Sequence, residues 1–274
     1  MSSILTNNSA MVALQTLKSI NSNLSQTQSE ISTGKSISSA KDNSAMWAIS
    51  KVMESDVSGF NAISDSLALG GSTVAVASAG AEQITDLLTQ MKEKVVAATG
   101  ENVDHTKITA DVDELKNQIT SVIAAAQFNG SNLLDTAGGD ITVLSSLDRD
   151  ATGAVTATDI TVASVDFEAN IDLTTIDVTD SAAADTSLAE IETLIQAAVD
   201  GTAALGASQS RIENQSNFVS KLSDAMKSGI GSLVDADMEE ASARLQALQV
   251  QQQLGVQSLS IANQGAQSIM SLFR

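Results

Sequence analysis

A seven-residue repeat of apolar side chains extends from Met46 to Ala98, and it constrains the fold more than any other feature. Fourteen of the sixteen positions in its two interleaved series are apolar, the exceptions being Asp56 and Gly70. A repeat sustained this long is typical of a coiled-coil helix, whereas helices of ordinary globular bundles seldom exceed about 25 residues. From Asn43 to Ala98 the helix would be roughly 84 Å long. Its apolar stripe therefore needs other helices to cover it.

The composition favours slender helices packed side by side. The chain of 274 residues contains no Pro, which suits long helices without breaks. It contains no Cys, which excludes disulfides and thiolate chemistry. Aromatic residues amount to 2% of the chain, fewer than a compact globular core usually holds.

The charge excludes several kinds of partner. A formal net charge of −19 argues against binding to nucleic acid, which needs a basic face, and against an anionic membrane surface. No apolar run is long enough to span a membrane. The first residues show no targeting peptide. We therefore expect a cytoplasmic protein, or one that is exported without a cleaved signal.

The two ends of the chain are predicted to be nearly uncharged amphipathic helices. The first should begin near Asn7–Ser9, where capping residues occur, and end at Gly34. The apolar stripe at the start of the chain consists of Ala10, Ala13, Leu17, Ile20, Leu24 and Ile31. The stripe at its end consists of Leu245, Leu248, Gly255, Leu259, Ala262, Ala266, Ile269 and Phe273. Such helices are marginal alone, so we expect them to pack together and against other copies. A membrane-lying helix is the alternative, but it would need basic and aromatic residues that these ends lack.

Three further elements are predicted between these ends. A third helix, capped by Asp104 or Thr106, should pack antiparallel to the long one and end before a tight turn at Asn129-Gly130. Ser187 to Glu190 reads as a capping box. It should begin a second long helix, whose heptad series continues to Leu233.

The segment from Gly138 to Asp185 differs from the rest in composition. Apolar and polar residues alternate in it at 141–144, 154–157 and 160–162, which predicts short strands. It holds ten acidic residues against Arg149, so we expect it to be exposed and solvated. Its acidic loop from Asp148 to Gly153 lacks the full ligand pattern of a calcium loop, and solubilising charge is the better interpretation.

No enzyme is predicted. His105 is the only histidine, and we interpret it as a solvated loop residue. The sequence contains no credible nucleophile–base pair. No cofactor or metal site is predicted.

Several tracts of the sequence resemble the bacterial flagellins, the subunits of the flagellar filament. The resemblance covers residues 1–135 and 187–274 and does not extend to the middle segment, as is expected where flagellins vary. On the N-terminal side the matching tracts are Leu24 to Ile31, Ser32-Thr33-Gly34-Lys35, Ser39-Ala40-Lys41-Asp42 and Gln127-Phe128-Asn129-Gly130. On the C-terminal side they are Leu205-Gly206-Ala207, Ser210-Arg211-Ile212-Glu213, Asp235-Ala236-Asp237-Met238, Gln251-Gln252, Ala262-Asn263-Gln264 and Ser271-Leu272-Phe273-Arg274.

The resemblance implies a mainly α-helical fold, a long coiled-coil bundle of the N- and C-terminal parts with a small β-rich insertion. Residues 1–42 with 230–274 would form an inner coiled coil in the filament core, and 43–137 with 186–229 an outer helical bundle. Residues 138–185 would form a small acidic surface segment. The side chains expected in the inner coiled coil are Leu17, Ile20, Leu24, Ile31, Leu245, Leu248, Leu259, Ile269 and Phe273.

The resemblance also implies the function and the partners. The chain would polymerise with its own copies into the extracellular filament that drives swimming. It would leave the cell through the flagellar type III export apparatus. Its other partners would be a secretion chaperone, the filament cap and the hook-associated proteins. Gln90 and Lys94 stand where flagellins sensed by the animal innate receptor carry Arg and Leu, and this argues against receptor recognition.

Three alternative functions are less well supported by the sequence. A hook–filament junction protein shares the terminal helices but matches the quoted tracts less closely. Some flagellins resemble metalloproteases through an inserted His-Glu-x-x-His segment, which a chain with one histidine cannot contain. A type III translocator would need an apolar membrane-inserting helix, which the sequence lacks.

Overall fold

The computed structural model describes residues 7–150 and 152–271, without the side chains of 265–271. Six α-helices, two short antiparallel β-ribbons and a 3-10 turn make up this part of the chain. In order they are α1 (Asn8–Thr33), α2 (Ser44–Ala98), α3 (His105–Ala125), β1 (Gln127–Phe128), β2 (Ser131–Asn132), β3 (Ile141–Arg149), β4 (Val155–Val162), α4 (Phe167–Asn170), the 3-10 turn (Leu173–Thr175), α5 (Ser181–Val234) and α6 (Met238–Ser271).

The chain divides into two compact units. Unit 1 comprises residues 1–55 and 225–274, and unit 2 comprises residues 56–224. Both α2 and α5 contribute to each unit. The mainly helical fold with a small central β-region is confirmed.

Unit 1 contains α1 and α6, which lie side by side and antiparallel. The side chain of Asn7 caps α1 by accepting a hydrogen bond from the amide of Ala10 at 3.0 Å. Gly34 ends α1 in the left-handed conformation, with φ of 70°. Both predicted ends of this helix are confirmed, and each follows from local chemistry.

Unit 2 buries the heptad stripe of α2. The side chains from Phe60 to Ala98 at both series of positions are buried, whereas Ile49, in unit 1, is half exposed. The stripe prediction is therefore wrong at Ile49. In α5 the matching series is buried from Ile191 to Val219. The third helix, α3, is capped by Asp104 and joined to α2 by an ion pair between Lys94 and Asp111.

The two exceptions in the α2 repeat mark where the β3–β4 hairpin packs. Val143 lies directly over Gly70, and Arg149 pairs with Asp56 through an Nη2–Oδ1 distance of 2.5 Å. The 14 residues between Asp56 and Gly70 span about 21 Å of helix, and the six between Val143 and Arg149 span about 20 Å of strand. β3 therefore extends along α2. Gly70, which has no side chain, leaves room for Val143, and Asp56 pairs with Arg149.

The hairpin corrects two expectations. The strands expected at 154–157 and 160–162 form one strand, β4, which pairs with β3 in antiparallel register. The segment is not solvated throughout, because Val143, Ile160 and Val162 are buried. Its acidic residues lie mostly on the outer side, while its alternating apolar side chains form an inner face.

Two local predictions have different outcomes. The Asn129-Gly130 turn is confirmed, since both residues have positive φ and connect β1 to β2. The capping box at Ser187 is wrong. α5 begins at Ser181 and is capped seven residues earlier than expected, by the Asp180 side chain, which accepts from the amide of Ala183 at 2.7 Å. The Ser187 hydroxyl is buried and bonds the backbone of Asp177 instead.

His105 is the first residue of α3 rather than a loop residue. It is half buried, and its Nδ1 lies 3.2 Å from the carbonyl oxygen of Val178. The interpretation as a solvated loop residue is therefore wrong, because the segment after the 3-10 turn covers the ring.

Candidate assembly surface

The α1–α6 pair brings together most of the side chains predicted for the inner coiled coil. Leu248 is 7% exposed. The other described members of the set are half buried, namely Leu17, Ile20, Leu24, Ile31, Leu245 and Leu259. A two-helix seam leaves its side chains partly open, because each helix has only one neighbour. Phe273 lies outside the described residues, and only the backbone of Ile269 is described.

Polar side chains fix the register of the pair. The side-chain Nδ2 of Asn7 donates to the carbonyl oxygen of Ala262 at 2.9 Å, and the side-chain Nε2 of Gln252 donates to the Oδ1 of Asn21 at 2.8 Å. Between these contacts Leu17 packs against Gly255, where an added Cβ would lie 3.1 Å from the Leu17 Cδ1 atom. The absence of a side chain at Gly255 lets the two helices approach closely.

The pair also presents apolar side chains to the outside. An open apolar depression of about 790 Å³ lies between α1 and α6. We call it the groove. Its apolar lining includes Val12, Ile20, Leu254 and Ile261, of which Val12, Leu254 and Ile261 are about 60% exposed. Apolar side chains this open on a helix pair indicate a surface that another molecule covers.

Two linkers join the pair to the longer helices, and they are bonded to each other. Lys35 and Asp235 form an isolated antiparallel bridge, and the amide of Ser36 donates to the carbonyl oxygen of Val234 at 2.7 Å. The amide of Ala236 donates to Gly34 at 3.0 Å. We call this set of bonds the linker bridge, residues 34–37 and 234–236. It ties together two chain segments about 200 residues apart.

Two carboxylates shape the linkers. Asp42 accepts hydrogen bonds from the amides and hydroxyls of Ser38 and Ser39, and the Ser39 amide at 2.9 Å is the strongest reason why the pKa of Asp42 lies below its ordinary value. Asp237 caps α6 by accepting from the amides of Glu239 and Glu240. Both carboxylates accept hydrogen bonds from backbone amides at the start of a turn or helix, and in this way they fix the path of the two linkers.

Among the described residues, no group of three or more His, Asp and Glu side chains is placed to hold a metal ion. Within the same ranges, no helix combines the length and the hydropathy that crossing a bilayer requires.

Comparisons with known proteins identify the family. The family model of the bacterial flagellin N-terminal helical region matches residues 4–138, and that of the C-terminal helical region matches residues 188–273. Flagellin FljM of Caulobacter vibrioides is 43% identical over 277 residues, covering 100% of this chain and 99% of FljM. A flagellin of Brucella melitensis is 43% identical over 282 residues, covering 100% of both chains.

The chain belongs to the bacterial flagellin family. It is a structural subunit that assembles into the extracellular flagellar filament. A Vibrio parahaemolyticus protein, provisionally named as flagellar hook-associated, shares the fold with a TM-score of 0.50 at 15% identity, covering 71% of this chain and 100% of that one. At this identity the likeness concerns the fold alone.

The remaining motif residues of this flagellin do not converge on one place. Phe128, Asn129 and Gly130 form the β1–β2 turn, and Ile212 is buried in unit 2. Glu213 accepts from Gln209 one helical turn earlier. Lys41, Arg211, Asn263 and Gln264 are exposed, as are Asn129, Gly130 and Glu213.

Charge is divided sharply between the two units of the flagellin. Unit 2 holds 26 of the 33 acidic residues and 7 of the 14 basic residues, so the whole formal net charge of −19 lies in it. Unit 1 is formally neutral. The sequence signalled this division, but it did not single out Val12, Leu254 and Ile261, because these apolar residues lie outside the heptad stripe. The linker bridge had no sequence signal.

Proposed function

We propose that this flagellin polymerises through the α1–α6 pair, which forms the inner coiled coil of the filament. The exposed apolar side chains of the groove, on a helix pair whose formal net charge is only −1, carry this proposal. Burial of apolar surface is the main force in protein association. Nearly neutral helices can be packed closely in many copies with little repulsion between like charges.

The proposal assigns a place in the filament to each part of the chain. Residues 1–42 with 230–274 form the core, 43–137 with 186–229 the surrounding helical bundle, and 138–185 a surface segment. The charge division supports this order, since 26 acidic residues in unit 2 are best hydrated where solvent reaches them.

The same proposal covers the other partners and the absence of enzymatic activity. A secretion chaperone, the filament cap and the hook-associated proteins would meet the terminal helices before and after assembly. Export would occur through the flagellar apparatus without a cleaved signal. The polar and charged groups described above act as caps, ion pairs and solubilising charge, and they support a structural role.

One substitution tests the assignment of the core. Leu248→Asp would place a charge in the α1–α6 seam, at a position that is 7% exposed. We expect it to abolish filament growth from seeds, because a buried unpaired charge is costly. Gln249→Asp, at the neighbouring exposed position, is the matched control and should assemble.

Electron microscopy of seeded samples and sedimentation of the polymer measure the outcome. The wild-type chain should form filaments of uniform diameter, whereas a junction protein would form only short assemblies. Filaments from Leu248→Asp at wild-type yield would contradict the assignment of the seam to the filament core.

A further inference from the structure

The α1–α6 pair carries a second apolar surface besides the groove. Met11, Leu14 and Val256 are each more than half exposed, and none of them lines the groove. We call these three side chains the ridge. Large apolar side chains this open on a surface without net charge are costly unless something covers them.

The ridge and the groove lie on opposite flanks of the pair. Successive helical residues turn by about 100°, so Val12 and Leu14 point about 160° apart around α1. The same spacing separates Leu254 of the groove from Val256 of the ridge on α6. The seam side chains lie between the two flanks on each helix.

Both surfaces lie at the same height along the pair. Leu17 packs on Gly255, so the antiparallel register places Leu14 beside the turn of α6 that contains Val256. The contact of Asn7 with Ala262 places Val12 and Ile261 at a common level in the groove. One molecule therefore presents an apolar depression and an apolar projection back to back.

We propose that the ridge of one subunit fits into the groove of the next, and that this contact repeats from copy to copy. The inference rests on the proposed role of the α1–α6 pair in polymerisation, and it specifies which faces meet. A contact between two different surfaces of the same chain is heterologous, and such contacts generate open helical arrays when they do not close into rings.

The charge pattern supports a second copy as the occupant of the groove. No charged side chain occurs from Leu245 to Phe273 or from Ser2 to Leu17, the stretches that contain the ridge and all of the groove residues except Ile20. Identical copies can therefore approach along these stretches without the repulsion that unit 2, with its net charge of −19, would create. A differently charged partner would gain nothing from so neutral a surface.

Cross-linking in assembled filaments tests the contact. The chain has no cysteine, so Leu14→Cys and Leu254→Cys give single reactive sites on the ridge and in the groove. The two variant chains are polymerised separately and as a 1:1 mixture, and then treated with a short bis-maleimide. We expect cross-linked dimers in the mixed filaments alone. Gln253→Cys, one residue away on another face, replaces Leu254→Cys in the matched control and should give no dimers.

The outcomes separate this inference from the proposed function. Filaments of the mixture without cross-linked dimers overturn the ridge-to-groove contact and leave polymerisation through the pair intact. Dimers in filaments of Leu14→Cys alone indicate ridge-to-ridge pairing and also overturn it. If the wild-type chain itself fails to grow from seeds, the proposed function fails instead.

A second measurement does not depend on cross-linking geometry. Leu14→Ser should raise the critical concentration for polymerisation by about tenfold or more, the factor expected when a leucine side chain is no longer buried. Gln15→Ser, at the neighbouring exposed position, should leave it unchanged. Assembly of Leu14→Ser at the wild-type critical concentration overturns the proposal.

Discussion

The fit between Gly70 and Val143 can be tested by adding a single methyl group. In a helix interior, Gly→Ala normally stabilises by about 1 kcal/mol. At Gly70, however, the new methyl would overlap both Cγ atoms of Val143. Overpacking of this kind typically costs about 1–3 kcal/mol. We therefore expect Gly70→Ala to leave unit 2 between unchanged and about 2 kcal/mol less stable.

The neighbouring glycine provides the matched control. At Gly71 the nearest atom to an added Cβ is the Cγ2 of Ile212 at 3.5 Å, an ordinary van der Waals contact. Gly71→Ala should therefore keep the full helical gain of about 1 kcal/mol. The two variants should differ by about 1–3 kcal/mol, although they change adjacent residues of one helix in the same way.

Removing the obstructing side chain should reverse the effect. Val143→Ala alone loses two buried methyl groups, about 1.6 kcal/mol by transfer alone. In that background Gly70→Ala should become stabilising, which gives a coupling energy within the range of about 0.5–3 kcal/mol seen for residues in contact. Urea unfolding of the full chain, followed by circular dichroism at 222 nm, measures each value. If Gly70→Ala and Gly71→Ala stabilise the wild-type chain equally, the strand does not lie on Gly70.

Three further predictions concern charged groups. The pKa of Asp42 is lowered, so its hydrogen bonds to the linker should persist above about pH 4 and be lost as the pH falls through the lowered value; amide exchange at Ser38 and Ser39 should rise there, but show no such step in Asp42→Asn. Arg149→Met keeps the aliphatic stem and removes the ion pair with Asp56, and since both side chains are partly exposed the midpoint of urea unfolding should fall only slightly; a fall as large as that of Val143→Ala would contradict this. Added NaCl should lower the critical concentration for polymerisation of the wild-type chain, because screening weakens repulsion between copies of unit 2. In a variant with three exposed carboxylates neutralised, at Glu101, Glu114 and Asp159, the critical concentration should fall less. An equal fall in both chains would contradict the argument.

The sequence predicted the helices well where periodicity and caps act locally. The repeat of α2 and the caps at Asn7 and Asp104 depend on residues within a few turns, and all three were confirmed, except for Ile49 in the repeat. The start of α5 was wrong because Asp177 competes for the Ser187 hydroxyl. A capping box read from four residues cannot include such a partner.

The assembly surface was only half predictable. The seam follows the heptad stripe, so residues such as Leu17 and Leu248 could be named from spacing. The groove and the linker bridge depend on how two distant segments are aligned, and one sequence carries no signal for that alignment. Asp56 and Gly70 interrupt the apolar repeat in the sequence. Only the packing of β3 explains them, because Asp56 pairs with Arg149 and Gly70 lies against Val143.

The pairing of α1 with α6 has a consequence for the order of events during synthesis. Asn7 and Ala262 are 255 residues apart, so the first helix made must wait for the last one. At about 5–20 residues per second, a ribosome needs roughly 13–50 s to cover that distance. Throughout this time α1 has no partner, and a lone helix of such composition is only marginally stable in water. Most of unit 2, whose contacts are nearer in sequence, can fold while the two terminal helices are still unpaired and can bind other proteins.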